Sequence, residues 1–510
     1  MVEAAAKLDV DALPAAEEPP RPETMRRRAV RGSVWVVLSF GYGQGVRLFG
    51  NLVLAYLLRD NLAAIGIMAL VASLNRGLEM ASSVGLNLSV VQHADGEQPR
   101  FIETAWTLQV IRGVGLFLLC CAFAVPYANF YKEPVLVALV PVTGRVLVIV
   151  SFQSPGIWLA QRRVEVWRLT SVDVVTQTAT LATMIAWAAV SPTVWALAAG
   201  VVVSGIVRVG ASYVVARSDR PRFRLDRDAC GSILRFGGWL IVGTLLTFLA
   251  TDLPTLALGR AFTKEDLAVF TVALMLATFS SQCVSKIAAL VVFPLFSEVK
   301  NVGGDIASAA GRVLEPLRVL AGAATAAMYA SGPMAVVMLW PVEYANAAWM
   351  VRLLAVMAIL IVLGESLKML LLSLGEARPT IWGHVSKLLA LAVLMPTGAW
   401  WTSQTMGWAL PGFVAGAALS EVARYLAFSV LTRRYGVRSL MRDLVWFAVM
   451  AVGAMLSAIV ADAAHIAAAA QGWDSRVAAG VGGLAGCGMV SVVFALPVLV
   501  AIRDVRGLRG

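Results

Sequence analysis

Several arginines and one lysine of this chain lie deep inside long apolar stretches, where charged side chains are rare. A charge in the middle of a membrane span costs about 3 kcal/mol or more, so such a residue predicts a functional site by default. A guanidinium group can hold two phosphate oxygens at once, which makes a phosphate-bearing ligand the first hypothesis. The candidate substrate-binding residues are Arg47, Arg76, Arg112, Arg145 and Lys286.

Arg47 is the sharpest candidate because of its depth and its neighbours. It lies about 11 residues from the external end of the first apolar stretch, hence roughly 16 Å deep in a helix. Four glycines surround it, at positions 41, 43, 45 and 50, and they allow a close approach of a headgroup or another backbone. Two roles stay open for Arg47, namely lining a cavity or pairing with a neighbouring helix.

Other buried charges have a partner of opposite sign three residues away on the same helix face, which favours mutual neutralisation. These pairs are Arg76 with Glu79, Glu365 with Lys368, and Glu421 with Arg424. For Arg76 we also consider contact with a phosphate-bearing ligand. Arg208, His384 and Lys387 lie nearer the cytoplasmic ends of their spans, from which their side chains can reach the membrane–water interface.

Asp252 is the acidic candidate, since it falls opposite Arg47 when the two halves of the chain are aligned. It can couple the two lobes, bind a proton or another cation, or cap a helix break near Pro254. Counted over all these buried groups, each half has more basic than acidic residues. A net-positive interior suits an anionic ligand, whereas a cavity for organic cations should be acidic.

No catalytic constellation, metal-ligand spacing or cofactor motif is found in the sequence, which favours a non-enzyme with no cofactor. The segment 41–45 resembles a glycine-rich nucleotide loop in composition only, because it sits inside an apolar span. The net charge of +11 is concentrated in the connections between spans, which argues against nucleic-acid binding.

The elements that position these residues are predicted to be transmembrane helices. The chain is 59% hydrophobic and only 14% charged, with a mean hydropathy of +0.78, whereas soluble domains carry about 25% charged residues. We predict about fourteen spans, each long enough to cross about 30 Å of hydrocarbon. The spans are 32–58, 63–91, 101–125, 135–160, 168–190, 193–216, 234–259, 266–297, 313–340, 347–373, 380–401, 405–432, 443–464 and 478–502.

Basic residues distinguish the two sides of the membrane. Alternate connections hold 25 Lys and Arg, whereas the opposite set holds 5. Basic connections stay in the cytoplasm, so both termini are predicted to be cytoplasmic and the protein to be a multi-pass protein of the bacterial inner membrane.

A weak internal repeat divides the chain near its middle. The segment 31–35 aligns with 235–239, and 59–63 aligns with 264–268. Six predicted spans precede the middle loop, and six follow it with the same orientation. Parallel repeats of this kind build transporters from two lobes. The predicted organisation is 1–31 disordered cytoplasmic tail, 32–217 six-helix lobe, 218–233 cytoplasmic linker, 234–433 six-helix lobe, and 434–510 two additional helices with a cytoplasmic tail.

Several segments resemble the polysaccharide transporter family, which includes the Wzx-type oligosaccharide flippases. The family belongs to the multidrug/oligosaccharidyl-lipid/polysaccharide exporter superfamily. The resemblance is carried by the apolar opening after Arg31 and by segments 128–134, 158–163, 252–259, 268–270 and 293–297. It covers roughly residues 30–500 and implies an all-α membrane protein with two pseudosymmetric lobes.

The resemblance further implies flipping of polyprenyl-pyrophosphate-linked oligosaccharide for O-antigen, capsule or exopolysaccharide synthesis. The expected partners are that anionic lipid, membrane lipids and proteins of polysaccharide assembly. A peptidoglycan-precursor flippase and a cation-coupled multidrug exporter of the same superfamily are the alternatives. A membrane glycan polymerase is disfavoured, because the external connections are short.

Overall fold

The computed structural model describes residues 22–506, apart from residues 83–85, 94–95, 164, 217–220, 302–304, 377 and 438. The described chain is almost entirely helical. Its helices are α1 (Pro22–Leu57), α2 (Leu62–Ala81), α3 (Leu86–Gln92), α4 (Pro99–Tyr131), α5 (Leu136–Ser151), α6 (Gly156–Arg162), α7 (Val166–Val190), α8 (Val194–Val215), α9 (Arg227–Ala261), α10 (Lys264–Asn301), α11 (Ile306–Leu339), α12 (Ala347–Ser373), α13 (Thr380–Met406), α14 (Leu410–Thr432), α15 (Leu440–Ala470) and α16 (Ser475–Arg506).

The all-α membrane architecture predicted from the sequence is confirmed. Within the described residues, eleven helices are long and apolar enough to cross a membrane, or twelve if the bent pair α5–α6 forms one span. The count of fourteen stays a prediction. α7 is not among the eleven, since polar residues such as Asp173 and Gln177 interrupt its apolar stretch.

Two predicted spans are interrupted in the structure. The span 63–91 consists of α2 and α3, and the span 135–160 consists of α5 and α6, whose axes differ by 65°. The bend lies at residues 152–155, between the two helices. Pro155 has no N–H group and therefore cannot continue the helical hydrogen bonds. α6 is thereby turned across the cytoplasmic end of the lobe, as the predicted topology orients it.

The first lobe is formed by α1 to α8. In it α7 packs between α1 and α8, α8 packs on α5, and α5 packs on α4. α2 touches α4, α5 and α8 as well as the second lobe. The interior of this lobe is therefore bounded by α2, α4, α5, α7 and α8.

The second lobe is formed by α9 to α14. Its interior is α12, which packs on α10, α11 and α14 and is buried along most of its length. α15 and α16 lie outside this lobe and pack against α11. The Arg318 side chain in α11 is only 2% exposed and bonds to Asp443 in α15, which fixes the additional pair to the lobe.

The two lobes meet where α2 runs antiparallel to α9 and also packs on α10. We call these contacts, together with the contact of α1 with α10, the lobe interface. Small residues let the backbones approach, as is common between membrane helices. A methyl group on Gly66 would lie 2.0 Å from the Lys264 carbonyl oxygen, and one on Gly77 would lie 2.6 Å from the Phe248 ring.

The helix ends differ from two of the predicted boundaries. α1 begins at Pro22, so residues 22–31 of the predicted tail are helical, while residues 1–21 lie outside the described residues. α9 begins at Arg227 within the predicted linker, where the Asp226 carboxylate caps it by accepting from the N–H groups of Asp228 and Ala229.

Candidate functional site

Arg47 lies on the inner face of α1. Gly43 and Gln44, one turn earlier on the same face, contact Gln177 of α7 and Gln282 of α10. Leu38 precedes Arg47 by nine residues, or half a turn in projection, and is 61% exposed on the opposite face. Arg47 is nevertheless exposed, and it has no side-chain partner among the described residues. Its side chain is therefore accessible on the face of α1 that contacts α7 and α10.

Lys286 of α10 lies on the same part of the lobe interface as Arg47. Its ammonium group is 6.0 Å from the centre of the Phe40 ring in α1, and it lines a cavity of about 270 Å³ together with Glu365 and Gln282. Phe40 precedes Arg47 by seven residues, so Lys286 sits roughly 10 Å nearer the predicted cytoplasmic end than Arg47. Two cations thus follow each other along the contact between α1 and α10.

Arg76 does not form the predicted pair with Glu79. Its guanidinium group instead lies 2.7 Å from the carboxylate of Asp252 in α9, and the Ser73 hydroxyl donates to the same carboxylate oxygen at 2.9 Å. Asp252 is buried, whereas the Arg76 side chain is 57% exposed. The sequence spacing missed this pair because its partners lie 176 residues apart and meet only across the lobe interface.

Arg112 lies inside the first lobe rather than at the lobe interface. Its Nε donates to the Ser82 hydroxyl at 2.9 Å, and one Nη donates to the Glu79 carbonyl oxygen at 2.8 Å. It lines a cavity of about 640 Å³ that is bounded by α2, α4, α5, α6, α7 and α8. We call this the first-lobe cavity.

The first-lobe cavity carries balanced charge. Arg112 and Arg208 are its basic residues, and Glu79 and Asp173 are its acidic ones. Arg208 donates to the Asp173 carboxylate at 3.1 Å and to the Gln153 amide oxygen at 3.2 Å. Arg208 thus has partners within the protein, and the excess of basic residues counted from the sequence does not apply to this cavity.

Arg145 is not brought to either cavity. It follows Thr143 by two residues in α5, which turns it by about 200° away from the contact between Thr143 and Asn75 of α2. Arg145 is exposed and shares its face with Phe152, seven residues later, which is 38% exposed. Its side chain therefore projects from the outer surface of the lobe.

The second lobe contains an extended buried ionic cluster. The pairs Glu365 with Lys368 and Glu421 with Arg424 form as the spacing predicts, at 2.5 and 2.7 Å. Arg424 joins them through a further contact of 2.9 Å to Glu365. The prediction that Lys387 reaches the membrane–water interface is wrong, because its side chain is only 12% exposed and lies 2.5 Å from the Glu421 carboxylate.

The polar residues of the first-lobe cavity are the features that sequence reasoning missed. Gln109 lies in α4, Gln153 in the connection between α5 and α6, and Gln161 in α6, and no single amide stands out in the sequence. The available signal was the interruption of apolar stretches at the predicted cytoplasmic ends of α4, α5 and α7. That signal does not say that the three ends surround one cavity.

A family model described as polysaccharide biosynthesis protein matches residues 53–348, which is more than half of the chain. The matched segment includes α2, α9 and α10 and therefore most of the lobe interface. No curated protein matches the sequence significantly.

Solved structures of two kinds resemble the fold. A lipid II flippase, MurJ, in an inward closed conformation is 10% identical and superposes with a TM-score of 0.67 over 93% of this chain and 99% of that one. A MATE transporter in the straight conformation is 16% identical, with a TM-score of 0.57 over 80% and 96%. The eukaryotic MATE transporter AtDTX14 is 13% identical, with a TM-score of 0.56 over 80% and 96%. At these identities the likeness shows the fold.

Proposed function

Because the chain belongs to the polysaccharide biosynthesis protein family, we propose that it is a flippase for polyprenyl-pyrophosphate-linked oligosaccharide in the bacterial cytoplasmic membrane. The two lobes would rock about the lobe interface and expose the headgroup first to the cytoplasm and then to the outside. The polyprenyl chain would stay in the bilayer, and both termini of the protein would lie in the cytoplasm.

The observation that carries this proposal is the exposed Arg47 on the inner face of α1. An arginine without an acidic partner is costly in a membrane interior, and a pyrophosphate would supply the missing charge. The planar guanidinium group also matches two phosphate oxygens at once. Lys286, roughly 10 Å nearer the cytoplasm, would meet the same headgroup earlier on its path.

The pair Arg76–Asp252 is proposed to couple ligand and lobes. In the structure Asp252 holds Arg76 across the lobe interface at 2.7 Å. A pyrophosphate that reaches the exposed side of Arg76 would compete with this carboxylate and weaken a contact between the lobes. The ligand would then favour the conformation in which α2 and α9 separate, as differential binding requires.

The chain contains no GxxxxGK[ST] sequence, so we expect the drive to come from the membrane potential, an ion gradient or consumption of the product outside. No reaction on the substrate is proposed, and the basic residues act by binding alone. Arg47 and Lys286, which have no ion-pair partner among the described residues, argue against an exporter of organic cations.

Depletion of the protein in its native cell tests the proposal. We expect lipid-linked oligosaccharide to accumulate and to stay inaccessible to an impermeant glycosidase added to spheroplasts. Expression of the wild-type chain should restore access, and a variant with Arg47→Ala should not. Unchanged export of surface polysaccharide after depletion would contradict the proposal.

Flipping of the lipid-linked peptidoglycan precursor is the second candidate, favoured by the structural match to a lipid II flippase over 93% of this chain. The same depletion separates the two functions. Loss of the surface polysaccharide with intact cell walls supports the first, whereas lysis with accumulated precursor supports the second.

A further inference from the structure

The first-lobe cavity has a chemistry that differs from that of the lobe interface. Its two guanidinium groups and two carboxylates balance. By contrast, Arg47 and Lys286 have no ion-pair partner among the described residues. An anion would therefore be attracted to the lobe interface and gain little from the cavity. A neutral polar ligand does not depend on such an attraction and can bind in the cavity.

Several polar groups of the cavity remain available to a ligand. The Gln109 amide nitrogen donates to the carbonyl oxygens of Val150 and Ser151, at 3.5 and 3.1 Å, which leaves its own oxygen as an acceptor. Gln153 accepts from Arg208 through its amide oxygen, which leaves its nitrogen as a donor. Asp173 uses one carboxylate oxygen on Arg208, and its side chain is half exposed.

Donors and acceptors thus alternate over a lining that also includes Leu116, Leu147 and Ile157. A sugar presents the matching surface, since each hydroxyl donates and accepts and the ring carbons are apolar. The volume of about 640 Å³ lies within the range of about 300–1,000 Å³ that small-ligand sites occupy.

The cavity also lies where the glycan would arrive. Asp173 and Arg208 are each seven residues from the predicted cytoplasmic ends of α7 and α8, hence roughly 10 Å inside. α1 and α7 run parallel, with Gly43 against Gln177, so Arg47 sits roughly 12 Å farther toward the outside than Asp173. A headgroup held at Arg47 would leave its sugar on the cytoplasmic side, beside the cavity.

We propose that the first-lobe cavity is a sugar-binding subsite that holds a neutral residue of the lipid-linked glycan while the pyrophosphate occupies the lobe interface. This proposal rests on the flippase function. It assigns recognition of the sugar to Gln109, Gln153 and Asp173. It also assigns a preference for neutral over acidic sugars to the balanced charge of the lining, in which a uronic acid would lose hydration without gaining a net attraction.

Equilibrium binding to the purified full-length protein tests the subsite with three probes. They are polyprenyl pyrophosphate without sugar, the same lipid carrying a neutral hexose, and the same lipid carrying a uronic acid. We expect the wild type to bind the neutral-sugar lipid most tightly. Gln109→Leu should weaken that binding by roughly tenfold, the usual effect of one lost hydrogen bond in a polar site. It should leave binding of the sugar-free lipid unchanged.

A matched control and a second measurement guard against loss of folding. Gln404→Leu removes an exposed amide at the far end of α13 and should change none of the three affinities. In a chain whose native cysteines are replaced, Gln161→Cys places a thiol at the cavity. The neutral-sugar lipid should slow its reaction with a thiol reagent, and the sugar-free lipid should not.

The outcomes separate this proposal from the proposed function. If the wild type binds the sugar-free and the neutral-sugar lipid equally, or if the double variant Gln109→Leu/Gln153→Leu keeps the sugar preference, the subsite is overturned while the flippase function stands. If the wild type binds none of the three lipids, both are overturned.

Discussion

At the residue scale, charge alone does not identify a binding site in a membrane protein, because partner and orientation decide its role. Arg47 and Arg145 illustrate this. Both are exposed arginines within helices, yet one lies on an inner face and the other on an outer face. Only the inner one can meet a ligand held between the lobes.

The first prediction compares these two residues. Arg47→Ala should weaken binding of polyprenyl pyrophosphate by at least tenfold, since hydrogen bonds to charged groups contribute about 1.5–3 kcal/mol. The affinity of Arg47→Lys should lie between those of the wild type and Arg47→Ala, because lysine keeps the charge but cannot hold two phosphate oxygens at once. Arg145→Ala is the control, and its affinity should equal that of the wild type. Equal losses for Arg47→Ala and Arg145→Ala would remove Arg47 from the site.

The second prediction concerns Arg76 and its partner across the lobe interface. Arg76→Ala should lower the free energy of unfolding by roughly 1–3 kcal/mol, because it leaves the buried Asp252 carboxylate with Ser73 alone. The double variant Arg76→Ala/Asp252→Ala should recover most of that loss, as expected for coupled residues. Unfolding in mixed micelles measures both.

The control for this cycle is Arg76→Ala/Glu79→Ala. It should recover nothing, since Glu79 is not the partner of Arg76 in the structure. Recovery in this variant rather than in the Asp252 variant would restore the pairing that the spacing of three residues suggested. Transport should stay lost in both double variants if Arg76 also contacts the headgroup.

At the element scale, the sequence predicts helices well and their partners poorly. Each predicted span overlaps a helix or a broken pair, since apolar length is a local property of the chain. The i to i+3 pairs at Glu365 and Glu421 were predictable for the same reason. The contact of Arg76 with Asp252 and the lining of the first-lobe cavity were not, because they depend on how separate helices rotate against each other.

The additional helices α15 and α16 give the third prediction. Asp443 and Asp462 both lie in α15 and both pair with an arginine of the second lobe. The Arg318 side chain that binds Asp443 is 2% exposed, whereas the Asp462 side chain is 41% exposed. Breaking a buried pair costs about 3–5 kcal/mol, and an exposed pair contributes at most about 1 kcal/mol.

We therefore expect Asp443→Ala to lower the melting temperature of the detergent-solubilised protein much more than Asp462→Ala does. Tyr425 also donates to the Asp443 carboxylate. Asparagine keeps one acceptor oxygen but no charge, so Asp443→Asn should restore only part of the stability that Asp443→Ala loses. Equal effects at the two positions would show that α15 is held to the lobe by apolar packing rather than by Arg318.

At the scale of the whole molecule, the proposed transport requires one orientation in the membrane, and labelling of single cysteines tests this fourth prediction. In a chain without its native cysteines, Arg222→Cys should be protected from an impermeant thiol reagent added to intact cells. Glu265→Cys, in the first turn of α10 next to the short connection from α9, should be labelled. Both positions are exposed, so access to solvent does not distinguish them. The reverse labelling pattern would invert the molecule and place the first-lobe cavity outside.

We propose that this two-lobed protein moves a lipid-linked glycan across a bilayer by means of cations on its lobe interface. Purified protein can be tested for this transport in vesicles that contain polyprenyl-pyrophosphate-linked oligosaccharide in both leaflets, with an impermeant glycosidase outside. We predict complete cleavage with the wild type and with Arg145→Ala, and cleavage of only the outer-leaflet fraction with Arg47→Ala or with empty vesicles. Cleavage that stops at the outer-leaflet fraction with the wild type, under an imposed potential or ion gradient as well as without one, would contradict the claim.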